Sequence, residues 1–315
     1  MSGLPFRLAP AGGRRFDVVG LGENCVDHYC VVPGLPGPGG KVRMSRHQVQ
    51  GGGQVASAML ACQRLGLRAR YLGRCGDDVE SRAGIAELAA AGVEVSGVRV
   101  VRGARSQLSL ILVDEASGER AIAWTQGPGL ELQADELLAE EITAARVLHV
   151  DVTSPAAAAR AVALARAAGV VTSIDADHAA AGIHELLREI DLCVLPEDFA
   201  RELVGAASAA GVDAVLQGLQ RLCAGLLVVT RGRLGCAALS PGSAVVAIPA
   251  YPVAVVDTTG CGDVFHAALV VALCEEQPVV AALRFASAAA ALAARALGAR
   301  AALPTRAEVH GLLSR

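Results

Sequence analysis

The sequence predicts an α/β fold: a three-layer α/β/α sandwich with a mostly parallel central sheet and a small β-strand lid. Three observations carry this prediction. From about residue 146 onward, the short apolar runs "ARVLHVDV", "VVTSIDAD", "DLCVLP" and "GLLVVTRG" alternate with helical segments, the pattern of parallel strands covered on both faces. The length, 315 residues, is long for one domain and short for two full ones, which favours a single large domain with an elaboration. Residues 97–127 are rich in β-branched side chains with no helical pattern between them, so their strands are extra to a βαβ core.

Taken in order, residues 1–15 form a Gly- and Pro-rich extension, and the domain runs over 16–315. "FDVVGLGENCVDHYCVV" (16–32) reads as a buried strand, a glycine turn and a second strand beginning near Asp27. "PGLPGPGG" breaks the chain, and "KVRMSRHQVQ" (41–50) alternates as a further strand. "GGGQVASAMLACQRLG" (51–66) is a glycine turn feeding an amphipathic helix that ends at Gly66. "ARYLGRCGDD" supplies a strand and a loop, and an alanine-rich helix then ends at Gly92. Two or three antiparallel strands follow in 97–127, around the turn-like "EASGE". Segments of about 27–50 and 97–127 are expected to pair as the lid. Right-handed crossovers line the C-terminal ends of the parallel strands along one edge, where ligands bind, so "DVTS", "DADH", "PEDF" and "TRGRLG" fall at a site.

Composition excludes several classes. The high apolar content comes largely from alanine, and the charge-free run Ala237 to Val256 is broken by Pro241, Pro249 and Pro252, so it reads as strands and turns and not as a membrane span. Residues 1–15 hold no apolar core of signal-peptide length, which predicts a cytoplasmic protein. Nine cysteines without a CxxC pair predict buried thiols, neither a zinc knuckle nor a disulfide framework. The net charge is −3, and no arginine block or aromatic-interleaved basic stripe is present, which argues against nucleic acid and for a small ligand. The histidines have no metal-ligand spacing and are expected in the core or on the surface.

The segment "DTTGCGD" (257–263), between a strand-like run and a helix-like one, fits an anion-holding device. Gly260 and Gly262 let backbone N–H groups approach a ligand, and the following helix presents its positive end. Asp263 would repel a phosphate unless it does something else, and accepting a proton from an attacking hydroxyl is that something. The structural alternative is that Asp257 and Thr258 make a turn and Asp263 complements the helix dipole, worth roughly 0.3–1 kcal/mol.

The heptapeptide resembles the C-terminal signature of the ribokinase-like (PfkB) carbohydrate kinases, Asp-Thr-x-Gly-Ala-Gly-Asp, with Cys261 in place of alanine. The resemblance extends over nearly the whole chain. It implies that Asp263 is the catalytic base and that the backbone of Gly260, Cys261 and Gly262 forms the anion hole. Asp27 in "GENCVDHY" matches the acid that binds substrate hydroxyls, Gly52 and Gly53 match the di-glycine turn against the sugar, and "GRCGDD" (73–78) looks like the family's Gly-x-x-Gly-Asp-Asp loop. "VVTRGRLG" is similar to the adenine-nucleotide strand and loop, implicating Thr230, Gly232 and Gly235, with Thr258 beside the phosphates. The implied substrates are ATP with Mg2+ and a small sugar; K+ and a homodimer through the lid are implied by the family alone.

Two departures are visible. The asparagine many members carry in the first helix is Ser57, whose shorter side chain would reach a sugar through water. The Asn-x-x-Glu that many members place near magnesium falls on "PEDF", with Pro196 and Phe199 at the key positions, which leaves the metal ligands unassigned.

Asp151, Asp175 and Asp177 stand at strand ends, and Lys41 and Arg105 in the lid segments; each is a contact candidate or a solvated loop residue. A nicotinamide dehydrogenase is disfavoured because Cys25 replaces the third glycine after Gly20 and Gly22. A Walker loop is excluded by Leu35 and Val42. A non-catalytic sugar sensor would have no need of Asp263. Within the kinase reading a sugar acceptor comes first and a nucleoside second: aromatic rings for stacking a base are few, Trp124 and Tyr29 being the candidates.

Overall fold

The computed structural model describes residues 4–207 and 209–315. Its main sheet begins with β1 (Phe16–Leu21). The chain then forms β2 (Cys25–Val32), β3 (Arg46–Gly52), α1 (Gln54–Arg64), β4 (Ala69–Gly76), α2 (Val79–Ala90), β5 (Val98–Val101), β6 (Leu108–Asp114) and β7 (Arg120–Thr125). A regular alternation follows: α3 (Ala139–Thr143), β8 (Ala145–Val150), α4 (Pro155–Ala167), β9 (Val171–Asp175), α5 (Ile183–Leu187), β10 (Leu192–Pro196), α6 (Glu197–Val204), α7 (Val212–Leu219) and β11 (Leu226–Thr230). The last part holds β12 (Cys236–Leu239), β13 (Val246–Ile248), α8 (Cys261–Cys274), α9 (Val279–Ala293) and α10 (Arg306–Leu313).

The main sheet runs β13-β12-β11-β10-β9-β8-β1-β4-β5, parallel except at β12 and β13. Both of its faces are buried. Val18, Val147, Val171, Val194 and Val228 point to a core shared with α1, α8 and α9, while Val19, Leu148, Ile174, Leu195 and Val229 point to the opposite core under α4, α6 and α7. This two-sided burial is why these strands read as continuous apolar runs. Alanines at 267, 268, 286 and 289 keep the α8–α9 layer thin and close-packed.

A second sheet, in the order β3-β2-β6-β7, is separate and mostly antiparallel, with β2 and β6 the parallel pair. Tyr29, Ile111 and Val113 from this sheet pack on Leu297 of the large unit.

Two local expectations are corrected. The strand expected over 41–50 starts at Arg46, because residues 41–45, next to the Gly- and Pro-rich break, lie outside any strand. β5, expected in the lid, pairs parallel with β4 at the edge of the main sheet. At the C-terminal end α9 stops at Ala293 and α10 follows it, with the Thr305–Glu308 capping box at its start. Eight of the nine cysteines are buried and Cys261 is half-buried. Among the described residues no helix is long and apolar enough to cross a membrane.

Candidate active site

The segment before α8 is tied down by one buried carboxylate. Asp257 Oδ1 accepts from the Thr259 N–H (2.9 Å) and hydroxyl (2.8 Å), and Oδ2 accepts from the Gly298 N–H (2.9 Å). Asp257 therefore does more than shape a turn, since it fastens the 257–260 loop to the segment after α9. Gly260 follows at φ +78°, and a Cβ there would lie 2.6 Å from Ala299 Cα, so both backbone conformation and space demand glycine. Gly262 is exposed, and a Cβ on it would meet nothing within 4 Å. No side chain caps α8: the Cys261 N–H turns back onto Thr258 O (3.3 Å), and the next two N–H groups, at Gly262 and Asp263, have no intrahelical acceptor.

Asp263, half-buried in that first turn, has a carboxyl held well above the ordinary carboxylate range. Burial is the main cause, the negative charges of Asp175, Glu23 and Asp27 add to it, and Arg300 opposes it. The same crowding affects its neighbours. Burial, with Asp151 nearby, pushes Glu23 up to about 8, and burial pushes Asp151 up to about 6. At Asp175 burial also acts upward, but His266 outweighs it and the net shift is downward. The Cys261 thiol is pushed up to about 12 by burial, which favours its protonated form at neutral pH.

Across the cleft, Asp27 accepts from the Tyr29 hydroxyl (2.9 Å) and the Cys25 thiol (3.0 Å), and the Tyr29 hydroxyl in turn accepts from the Ala299 N–H (2.9 Å). Tyr29 is thus fully buried and committed to Asp27, so it offers no face for stacking a base. Gly52 leaves the space into which the Asp27 carboxylate projects, and a Cβ on Gly53 (φ +93°) would sit 2.7 Å from Glu23 O. Glu23 accepts from the Gln54 N–H (3.2 Å) and from Gln107, and its own N–H donates to Asp151 Oδ2 (2.6 Å).

Two arginines escaped the sequence reading. Arg300, buried, donates from Nε to Ser57 Oγ (3.1 Å), from Nη1 to Glu87 (2.7 Å), and from Nη2 to Gly52 O (2.6 Å) and Asn24 Oδ1 (3.4 Å). Ser57 is accordingly the partner of a guanidinium and not the water-bridged sugar contact expected. The only sequence signal was the pairing of a shortened residue at 57 with an arginine in the otherwise small-residue run "GARAA". Arg120, on β7, donates to the Thr258 hydroxyl and so brings a cation from the small sheet to the rim of the α8 loop. Lys41 and Arg105, the lid cations the sequence pointed to, are exposed.

On the other side of the sheet edge, Thr230 ends β11 and is half-buried, Gly232 and Gly235 have positive φ, and a Cβ on Gly235 would collide with Ile248 O. Pro196 ends β10, Phe199 is in the core at 2% exposure, and Asp198 faces solvent. Glu197 is held by Arg201 (2.6 Å) and Arg231 (2.9 Å), so its carboxylate is committed to two ion pairs. Asp177 is exposed beside His178 (2.6 Å).

The pfkB family carbohydrate kinase model matches residues 15–306. The chain belongs to this family. It is a sugar kinase, a phosphotransferase acting on sugar hydroxyls. Fructokinase-1 of Zea mays is 32% identical over 330 residues, covering 97% of this chain and 99% of the relative. The ribokinase of Bacillus subtilis is 51% identical over an 88-residue stretch, 28% of this chain and 30% of its own. The structure of Arabidopsis thaliana ribokinase complexed with ribose and ATP superposes with a TM-score of 0.81 at 26% identity, over 95% of this chain and 99% of that one.

Gly260 and Gly262 respond differently to the same change. Gly260→Ala should lower stability by at least about 1 kcal/mol through its left-handed backbone, and more through the Ala299 contact. Gly262→Ala should leave thermal unfolding unchanged yet reduce turnover, because the added methyl occupies the open space. Melting temperature and turnover measured on both variants check the contrast.

Proposed function

We propose that this kinase transfers the γ-phosphoryl group of ATP to a hydroxyl of a small carbohydrate, with Asp263 as base and the Gly260, Cys261 and Gly262 amides as the anion hole. The observation that carries this reading is a carboxyl of raised proton affinity in the first turn of an uncapped helix, beside the open space at Gly262. The sugar lies against Asp27 and Gly52–Gly53, with Ser57 acting through Arg300. Asp263 takes the hydroxyl proton as the sugar oxygen forms its bond to Pγ; the bond from Pγ to the bridging oxygen breaks and ADP leaves. The amides hold the charge on the moving group in place, so little reorganisation accompanies transfer. Thr230, Gly232, Gly235 and Thr258 flank the nucleotide. Closure of the small sheet excludes water that would otherwise be phosphorylated; the Arg120–Thr258 bond and the Trp124–His178 contact (6.4 Å) support this role.

Magnesium arrives as MgATP, part of the substrate. Neither Pro196 nor Phe199 offers a donor and Glu197 is spent on arginines, so no protein ligand is assigned to it. Asp257 spends both oxygens on Thr259 and Gly298, and no step depends on K+. A sugar is favoured over a nucleoside because Tyr29 is buried and the acceptor wall of Asp27, Asn24 and Arg300 is polar.

A homodimer through the small sheet is supported by its outer face, where the paired residues Val49, His28, Leu110 and Ala123 form a row and Val49 and Leu110 are exposed. Light scattering should give a dimer for the native protein and a monomer for Leu110→Glu; a native monomer rejects this assembly.

An ATP-dependent phosphorylation screen over sugars and nucleosides, with and without Mg2+, should give a sugar phosphate only with Mg2+. Asp263→Asn should lower that turnover by at least about 100-fold while ATP binding persists. Unchanged turnover would reject the base assignment, and absence of product from every acceptor would favour a sensor.

A further inference from the structure

We propose that His149, Asp175 and His266 form a binding site for one divalent transition-metal ion of the zinc type, joining β8 and β9 to α8 one helical turn beyond Asp263. The strand register builds the site. His149 and Ser173 are partners across the parallel β8–β9 pair. Alternation puts His149, Ser173 and Asp175 on the same face as Val147 and Val171, which pack in the core shared with α8. His266 on α8 closes the cluster from the helix side, its ring 5.4 Å from that of His149.

The three residues are 1%, 4% and 4% exposed, and one ligand atom from each lies within 4.8 Å of the other two. The His266 Nε2 to Asp175 Oδ1 distance is 3.3 Å. That is longer than the about 2.7–2.9 Å of a charge-assisted hydrogen bond. It matches the separation of about 3.3 Å between two ligand atoms on a tetrahedral ion with bonds of about 2.0–2.1 Å. His149 Nε2 is buried without a partner among the described residues, an orphan that a purely structural histidine would not favour and that an ion held at this position would satisfy. His149 Nδ1 meets Ser173 Oγ at 3.1 Å, the outer contact that fixes the ring and leaves Nε2 as the ligand atom.

Two imidazoles and one carboxylate suit zinc, cobalt or nickel, whereas magnesium and calcium take oxygen ligands. Three protein ligands leave a fourth position open. The sequence hid the site because its ligands come from two strands and a distant helix, with no local spacing. The inference is independent of the identity of the acceptor.

The test uses the full-length protein stripped with a chelator and titrated with Co2+ in the absence of nucleotide. One equivalent should bind, giving visible d–d absorption without a thiolate charge-transfer band, and Zn2+ should displace it while excess Mg2+ does not. His149→Gln and His266→Asn should each abolish uptake with circular dichroism unchanged. Ser173→Ala keeps all three ligands, tests the site should either histidine variant fail to fold, and should weaken binding by about 10- to 100-fold. No stoichiometric uptake, displacement by Mg2+, a thiolate band, or uptake at wild-type affinity in any folded variant would overturn the proposal.

Discussion

The crowding of Glu23, Asp27, Asp151, Asp175 and Asp263 around one end of a parallel sheet is the constraint on which the rest of the structure depends. Burial away from water, with the neighbouring negative charges adding to it, displaces Glu23, Asp151 and Asp263 upward. The fold tolerates the arrangement by surrounding most of these acids with donors. Main-chain N–H groups serve Glu23 and Asp151, a phenol serves Asp27, and an imidazole sits by Asp175. Among the described residues Asp263 receives no such donor, and the opposing influence on it is the Arg300 charge. The acid with least local support is the one at the open helix end, which is where a proton acceptor is useful.

Arg300 links several parts of this balance. Its guanidinium spans α1 through Ser57, the di-glycine turn through Gly52, the first strand turn through Asn24, and α2 through Glu87. A chain that shortens the α1 residue to serine makes room for an arginine from the other end of the sequence. The polar wall of Asp27, Asn24 and Arg300 then depends on a long-range contact and not on a local motif. The small sheet is joined to the same region by Arg120 at Thr258, while Gly118 in the β6–β7 turn lies against Val256. Movement of that sheet therefore acts on the loop that starts α8.

Much of the architecture was legible because it is local. The strand–helix alternation after residue 146, the helix stops at Gly66 and Gly92, and the glycine pattern of 260–262 each follow from backbone preference or burial over a few residues. What stayed hidden was tertiary. The assignment of β5 to the main sheet depends on its pairing with β4, the partnership of Ser57 with Arg300 on the docking of the C-terminal segment, and the meeting of His149, Asp175 and His266 on strand register. The misplaced start of β3 has another cause, since residues 41–45 alternate in polarity but regular pairing with β2 begins at Arg46, with the Ser45 N–H on Val31 O (2.9 Å) as the last contact before the Gly- and Pro-rich break.

The central claim is that the Asp263 carboxylate, made a stronger base by its surroundings, takes the proton. Its direct test is the pH dependence of kcat/KM for the native protein and for Arg300→Met. Transfer needs the ionised carboxylate, so the rate should fall as pH drops through a limb lying above the ordinary aspartate value of about 3.9. Removing the opposing cation should move that limb to higher pH. A limb at or below about 4 in the native protein, or one that stays in place when Arg300 is replaced, would contradict the account.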